Sequence, residues 1–401
     1  MNDNPSELAR TIVFVLITVS VAVSALWSML TSRASDHLRR RREQALAGLG
    51  FTLAHYPRFQ ARLEGQPVQV ELGDLDTRVI VGWPPRSGLL LSRGPSRDPL
   101  GDPAFDRQVD THGSAIHALA WLSASEREAL ARAITHGWEL SSRGLERVGR
   151  WDDPAELSAL IQPGLVAAKA LPRRRLTLIE GFLERLADDP HVGVRRRALE
   201  EIIKRADADD DELARAVELC RKDPDPELRM FAARRDADPV TLSGIALSAN
   251  AAPALRAEAL SLLLSQKPGH VATHDLLGRL LRQVEGQPAP GLDPDTAIAM
   301  VRMLGAHLES QAELTPSPRT IVLAALSGPS PLTVTAIDTL ASHAGLWAVP
   351  HLVPLRDKKL PDAAKTAATR AIAFIQARAG GDAGGLSLAQ EGGALALSER
   401  E

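Results

Sequence analysis

Residues 11–31, "TIVFVLITVSVAVSALWSMLT", run for 21 positions without a charged side chain. This segment constrains the chain most, because in hydrocarbon every backbone N–H and C=O must be satisfied internally, and an uninterrupted α-helix does so. At about 1.5 Å per residue, such a helix covers roughly 30 Å of bilayer core. Eleven of its residues are Ile, Val, Leu or Phe, each contributing about −0.3 to −0.6 kcal/mol to insertion, which offsets the scattered Ser and Thr. Trp27 stands near one end, where an amphipathic ring suits the interface. A cleaved signal peptide is the competing reading. The leader "MNDNPSELAR" has no basic n-region, however, and the apolar run is longer than a usual h-region. The sequence therefore predicts a transmembrane helix over 11–31.

Orientation follows from the flanks. Asp3 and Glu7 accompany Arg10 before the run, whereas Arg33, Arg39, Arg40, Arg41 and Arg42 follow it, and positive residues stay inside. Residues 1–10 are expected to form a short extracytoplasmic leader, and everything from about 32 onward is expected to be cytoplasmic at an inner (plasma) membrane. Arg39, Arg40, Arg41 and Arg42, in the basic juxtamembrane segment 32–43, are expected to touch anionic lipid, at about 1 kcal/mol per near-surface charge.

Beyond the anchor, 44% hydrophobic and 24% charged residues make an ordinary globular balance. Aromatic residues are only 3%, which favours helices packed through small and unbranched side chains. The net charge of −3, from 47 basic and 50 acidic residues, provides no global field for nucleic acid. Cys220 is the single cysteine, so an internal disulfide is excluded and a reducing compartment fits.

Between residues 44 and 150 the pattern is short and alternating. "FQARLEG", "VQVEL", "TRVIVGW" and "GLLLSR", separated by Gly, Pro and Asp turn signals, predict strands, with further short strands near 139–140 and 145–148. A helix is predicted from Ser125, where Ser125 and Glu128 have the S-x-x-E spacing of a capping box. A small α+β module results, with an antiparallel sheet and helices on one face. Its string "GDPAFDRQVDTHG", residues 101–113, resembles a segment of uncharacterised bacterial membrane-anchored proteins in which a mixed module precedes helical repeats. In physical terms, Asp102 before Pro103 reads as a helix start, Phe105 as a core anchor, and Asp106 with Arg107 as a local ion pair. The rival reading gathers Asp102, Asp106, His112 and His117 near one pocket, for acid–base work or ligand sensing.

From Trp151 to about residue 378 the strand signals vanish, and helices of 10 to 16 residues alternate with Pro, Gly and Asp breaks. A pattern recurs there: Asp189, Arg195 and Ala198; Asp223, Arg229 and Ala232; Asn250, Arg256 and Ala259. Each triplet reads D/N-x5-R-x2-A, and the arginines are 34 and 27 residues apart. This resembles the HEAT repeat, in which helix pairs recur every thirty to forty-odd residues. The resemblance implies that the acidic residue and the arginine link successive turns, while alanine allows close helix approach. It weakens later, where "SGPSPLTVTAIDTL" keeps Ser327, Val334 and Ala336 but has Thr333 in place of the arginine, and a last unit has Asp357 with Ala363 there. "VEGQPAPGLDPDT", residues 284–296, reads as a loop interrupting the array. Arg196 and Arg197 read as surface charges paired with Glu200 and Glu201.

The usual hydrolase, metalloprotease, nucleotide and zinc motifs are missing from the sequence. Asp207, Asp209, Asp211 and Glu218 fall at calcium-loop positions, but Glu212 replaces the required glycine. His270 and His274 share a helix face, with only Asp275 nearby as a third ligand. Neither set is taken as a metal site, and no cofactor is expected. The Gly-rich tail from about 379 repeats "GGLSLAQE" as "GGALALSERE" and is expected to be disordered, or else to add as a strand to a partner. The chain is thus expected to be mainly α: a transmembrane helix, a small α+β module and a HEAT-like solenoid. Its expected role is as a scaffold or adaptor for a protein partner, without enzymatic activity or nucleic-acid binding. The alternative is a degenerate enzyme or small-ligand sensor built on residues 44–150.

Overall fold

The first helix, α1 (Pro5–Gly48), is 44 residues long and runs well past the uncharged segment. The computed structural model describes residues 5–73, 76–82, 89–151, 153–171, 176–205, 211–309, 314–357, 360–380, 387–388 and 395–396; the side chains of 5–18, 30–35, 38, 357, 380, 387–388 and 395–396 lie outside the described set. No helix among the described residues is long and apolar enough to cross a membrane. The side chains of 11–18 and 30–31 in the uncharged run are among those not described, and residues 19–29 are exposed throughout.

The C-terminal end of α1 belongs to the core that follows it. Leu46 is fully buried and Arg42 is only 9% exposed, its guanidinium 5.8 Å from the Trp151 ring. Arg39 lies 3.9 Å from the Tyr56 ring and pairs with Glu43. Of the four arginines expected at lipid, only Arg40 and Arg41 have both exposure and no described ion pair. Arg42 is withdrawn from solvent, its guanidinium over the Trp151 ring.

Strands β1 (Thr52–His55), β2 (Arg58–Leu63), β3 (Gln66–Leu72) and β4 (Thr77–Val81) form an antiparallel meander. A two-residue ribbon follows, β5 (Ser92–Arg93) with β6 (Val109–Asp110). Then β7 (Glu139–Ser141) and β8 (Gly144–Gly149) return, and β8 pairs with β4. The alternation of β3 and β4 puts Val68, Val70, Leu72, Val79 and Val81 on one buried face. That face is covered by α5 (Pro154–Ala170), which starts on an Asp153 cap and packs against β3, β4 and β8. Trp138, fully buried, fills the space over Gly164 of α5.

Between the two strands of the ribbon the chain forms α2 (Pro103–Asp106), and between β6 and β7 it forms α3 (Ala115–Trp121) and α4 (Ala124–Thr135). The capping box of α4 is Ser123 with Glu126, two residues before the expected one. "SASERE" contains S-x-x-E twice, and the earlier copy prevails: Ser123 Oγ accepts from the Glu126 N–H, while the Glu126 carboxylate accepts from the Ser123 N–H at 2.6 Å.

The sequence puts the change of architecture at Trp151, yet the first compact unit extends to Leu213. Helices α6 (Leu178–Asp188) and α7 (Val192–Arg205) pair and pack on α3. Small residues permit the contact: a Cβ on Gly181 would lie 2.3 Å from the Ala120 carbonyl oxygen, and one on Gly101 2.2 Å from the Gly193 carbonyl carbon.

A second compact unit begins at Ala214, within α8 (Asp211–Arg221). It continues through α9 (Pro226–Asp236), α10 (Pro239–Ala246), α11 (Pro253–Gln266), α12 (Val271–Val284), α13 (Pro294–Leu304), α14 (Pro318–Ala325), α15 (Ser330–His343), α16 (Val349–Asp357) and α17 (Asp362–Gly380). Helices α9, α10, α13 and α14 each carry proline in the first turn behind a capping Asp225, Asp238, Asp293 or Ser317, as helix starts favour. The helices pack as two rows. Helices α10, α12 and α14 form one row, α11, α13, α15 and α17 the other, and cross-row pairs such as α10 with α11 and α14 with α15 join them. One apolar core runs through them from Met230 to Ile375. The protein is therefore mainly helical with a small antiparallel sheet.

Candidate functional site

The four module candidates do not converge on one pocket. Asp102 caps α2, accepting from the Ala104 and Phe105 N–H groups at 3.2 Å. Asp106 accepts from the Leu100 and Gly101 N–H groups, both at 2.9 Å. Burial pushes its carboxyl above the ordinary aspartate value, and these two donors offset only part of that. His117 is half-buried and stacks on Trp121 one turn further along α3, with ring centroids 4.7 Å apart. His112 is exposed and sits two residues past β6 with φ +44°.

Asp102 instead belongs to a buried ionic cluster. Arg127, fully buried on α4, donates Nε to Asp102 at 2.8 Å and a bidentate pair to Asp189 at 2.9 and 3.0 Å. Its Nη1 also donates to the Leu122 carbonyl at 3.0 Å, and His191 lies 3.5 Å from Asp102. Burial disfavours an ionised Asp102, but the Arg127 hydrogen bond, the Phe105 N–H and the guanidinium charge outweigh it, so the carboxyl titrates below its ordinary value. All of these groups are satisfied by one another, which makes the cluster a structural clasp. The sequence signal for it is Arg127 standing at i, i+3, i+4 and i+7 with Leu130, Ala131 and Ile134, a charge placed on the apolar stripe of α4.

Around His112 a different set gathers, which the sequence reading did not combine. His112 Nε2 is 2.5 Å from Ser92 Oγ, and Nδ1 is 3.7 Å from Asp110 Oδ2. Asp110 Oδ1 accepts from the His112 N–H at 3.2 Å, closing the turn that carries the positive φ. No motif marks this trio, because β5 and β6 bring Ser92 opposite Asp110 only in the fold.

The open face of the sheet is polar. Glu71 lies between Arg58 at 2.9 Å, Arg143 at 3.4 Å and Arg78 at 3.8 Å. A shallow groove of about 470 Å³ beside it is lined by Gln60, Arg62, Gln69, Ile80 and Arg143.

Each residue of the repeat signature has a definite place. Arg195 donates to the Asp189 carbonyl at 2.9 Å, and Arg229 to the Asp223 and Pro224 carbonyls at 2.8 Å. The two arginines thus tie the start of a helix to the loop six residues earlier. The acidic side chains organise that loop: Asp189 accepts from the His191 N–H and Asp223 from the Asp225 N–H. Capping of α9 falls to Asp225. Asn250 is exposed, and α11 starts on Ala252 without a side-chain cap. Arg256, 2% exposed, reaches further, to the Ala246 carbonyl at 3.0 Å, to Asp293 at 2.5 Å and to the Gly291 carbonyl. Thr333, where the pattern lacks its arginine, still donates to the Gly328 carbonyl at 2.9 Å. Ala198, Ala232 and Ala259 are buried between helices. Arg197 meets Asp98, Glu200 and Glu201 at 3.2 to 3.6 Å. In urea denaturation, Arg195→Ala is expected to lower stability by about 1–3 kcal/mol, through lost charge-assisted bonds to buried carbonyls. Arg197→Ala is expected to lower it by under about 1 kcal/mol, because Asp98 and Glu200 are half-exposed and buried Glu201 keeps Lys204 and Arg205 as partners.

Neither histidine of 270 and 274 is arranged as a ligand. His270 caps α12 by accepting from the Ala272 N–H, and His274 lies against the Thr315 backbone. Glu218 pairs with Arg221 and Lys222, while Asp207 and Asp209 lie outside the described residues. Among the described residues no three His, Cys, Asp or Glu side chains gather as a metal site. Burial, reinforced by the Asp223 charge, pushes the Cys220 thiol up to about 12. A maleimide at neutral pH is therefore expected to leave the native protein unmodified and to label Cys220 only on unfolding, as mass spectrometry would read.

In the second unit an apolar cleft of about 520 Å³ opens beside α13, lined by Pro290, Leu292, Ile298, Pro329 and Leu332 among others. Comparison with protein-family models, with curated proteins and with solved structures finds no match.

Proposed function

We propose that this chain is a single-pass membrane-anchored scaffold whose cytoplasmic helical rows, a HEAT-like solenoid, bind a protein partner. The observation that carries this reading is the second unit itself, in which helices stacked in two rows share one continuous core. Arrays of this kind present long surfaces without requiring a catalytic pocket. The cleft at Ile298, with its proline-lined apolar walls, is the part of that surface suited to an apolar anchor side chain. The uncharged run 11–31 supplies the anchor, with residues 1–10 outside and the bulk inside. Exposure of Val19, Val21, Val23, Leu26 and Met29 on α1 supports it, since lipid covers such a surface where protein does not. A photo-crosslinker placed at Ile298 in the full chain in native membranes is expected to capture one discrete protein, and Ile298→Glu to weaken that partner's retention. Absence of any specific crosslink along both rows, with cellular behaviour unchanged on deleting residues 214–380, would remove the reading.

A second reading, in which the 44–150 module is a degenerate enzyme, is favoured by the Ser92, His112 and Asp110 trio. Nucleophile and base are within hydrogen-bond reach, and an acid stands behind the base. The 3.7 Å gap to Asp110 and the exposure of His112 weigh against it. Under the scaffold reading, a fluorophosphonate probe leaves Ser92 unmodified; labelling at Ser92 that His112→Gln abolishes would establish the enzyme instead.

A further inference from the structure

The helix that enters the proposed membrane anchor is the same unbroken helix whose C-terminal end is buried in the first unit, and this fixes which end of that unit faces the bilayer. α1 continues from the uncharged run to Gly48 without interruption. After it, the chain reverses at Gly50, φ +83°, where the Phe51 N–H donates to the Leu46 carbonyl. The turn from β1 into β2 comes back to the level of Arg39, which stacks on Tyr56. From Thr31, where the uncharged run ends, to Arg39 is eight residues, or about 12 Å of helix. The headgroup layer occupies roughly the first 5–8 Å of that distance, and arginine and tyrosine side chains reach the remainder.

That end has the composition an interface asks for. His55, Tyr56 and Arg58 are exposed, as is Leu53 on β1. Of the charges there, Arg39 is met by Glu43 and Arg58 by Glu71, leaving Arg40 and Arg41 against Asp36 and tilting the balance to positive. Leu46 in the core and Arg42 against Trp151 hold this end of the helix to the unit.

We propose that the His55–Arg58 turn, together with Arg40 and Arg41, rests on the headgroups of an anionic bilayer, so that α1 sets both the height and the face of the first unit at the membrane. The inference rests on the anchor reading above. It is tested on the full chain in phosphatidylglycerol-containing nanodiscs, where buried Cys220 stays silent and single fluorophores are attached at Val21→Cys, His55→Cys or Arg62→Cys. Nitroxides on the acyl chains are expected to quench the label at 21. Nitroxides on the headgroups are expected to quench the label at 55 several-fold more than that at 62, which sits at the opposite end of β2. A flexible Gly-Ser insertion after Ser35 is expected to erase the difference between 55 and 62 while leaving 21 quenched. Equal quenching at 55 and 62 with 21 quenched overturns the surface contact alone, as does a difference that survives the insertion. A label at 21 untouched by acyl-chain nitroxides overturns the anchor and the contact together.

Discussion

Arg127→Ala lowers the stability of the first unit by about 3–5 kcal/mol, the expected cost of leaving buried carboxylates without their cation. Arg127 is fully buried between Asp102 and Asp189, so its removal takes away the cation that both carboxylates share. Arg127→Lys recovers only part of the loss, because an ammonium lacks the planar fork that reaches both aspartates and the Leu122 carbonyl at once. The pH dependence separates this cause from simple loss of volume. In the wild type the Asp102 carboxyl is held below its ordinary value. Its contribution is therefore complete above the unfolded-state value of about 4, and is lost as pH falls through the lower folded value. In the alanine variant the same carboxyl is buried without its partner and gains from protonation, so the gap between the two proteins narrows on acidification. Urea midpoints of the full chain from neutral pH down to about 3 measure this. A gap that stays constant would show that Asp102 draws no stability from Arg127.

Gly101→Ala is the second substitution with a large expected effect, about 2–5 kcal/mol. Two costs add. The residue has φ +94°, where an L side chain is strained by roughly 1–2 kcal/mol. The new methyl would also sit 2.2 Å from the Gly193 backbone, and overpacking of this kind costs about 1–3 kcal/mol. Gly65→Ala is the control: φ is +82° there too, yet nothing lies within 4 Å of the added Cβ, so only the backbone cost remains. Thermal unfolding of the two variants should differ by several degrees. Equal shifts would mean that the start of α7 can move away from the loop at Gly101 without loss.

The sequence pattern was legible where period and burial agree. β2, β3 and β4 lie where alternating residues predict them, because one face is core and the other is solvated. β1 was missed: all four of its residues are exposed, so no alternation exists to read. The first unit's extent to Leu213 was hidden for a related reason. Residues 151 to 205 have helical periodicity whichever neighbour they pack on, and the close approaches are at glycine: Gly181 of α6 against α3, and Gly193 of α7 against Gly101 in the loop before α2. Glycine has no side chain for a pattern to register, and in sequence it reads as a break. The recurring arginines were visible as a spacing, but their targets were not. Arg195 and Arg229 bind their own loops, whereas Arg256 spans to residues 291 and 293. Spacing alone gives a side chain's reach and leaves its direction open. The module candidates failed as a group because nearness in sequence, 102 to 117, says little about convergence when a ribbon, a turn and a helix each claim their own residues.

The clasp at Arg127 also sets an order of events as the chain is made. Its two acidic partners stand 25 residues before it and 62 after it. At roughly 5–20 residues per second, a ribosome that has just added Arg127 needs about 3–12 s to deliver Asp189. Throughout that interval the guanidinium has only Asp102 as its acidic partner, and at its start β7 and β8 are themselves still to be made. The first unit is therefore completed late, by residues whose helical pattern would assign them to a later part of the protein. A pause in translation anywhere between the end of β8 and α7 leaves an unfinished fold.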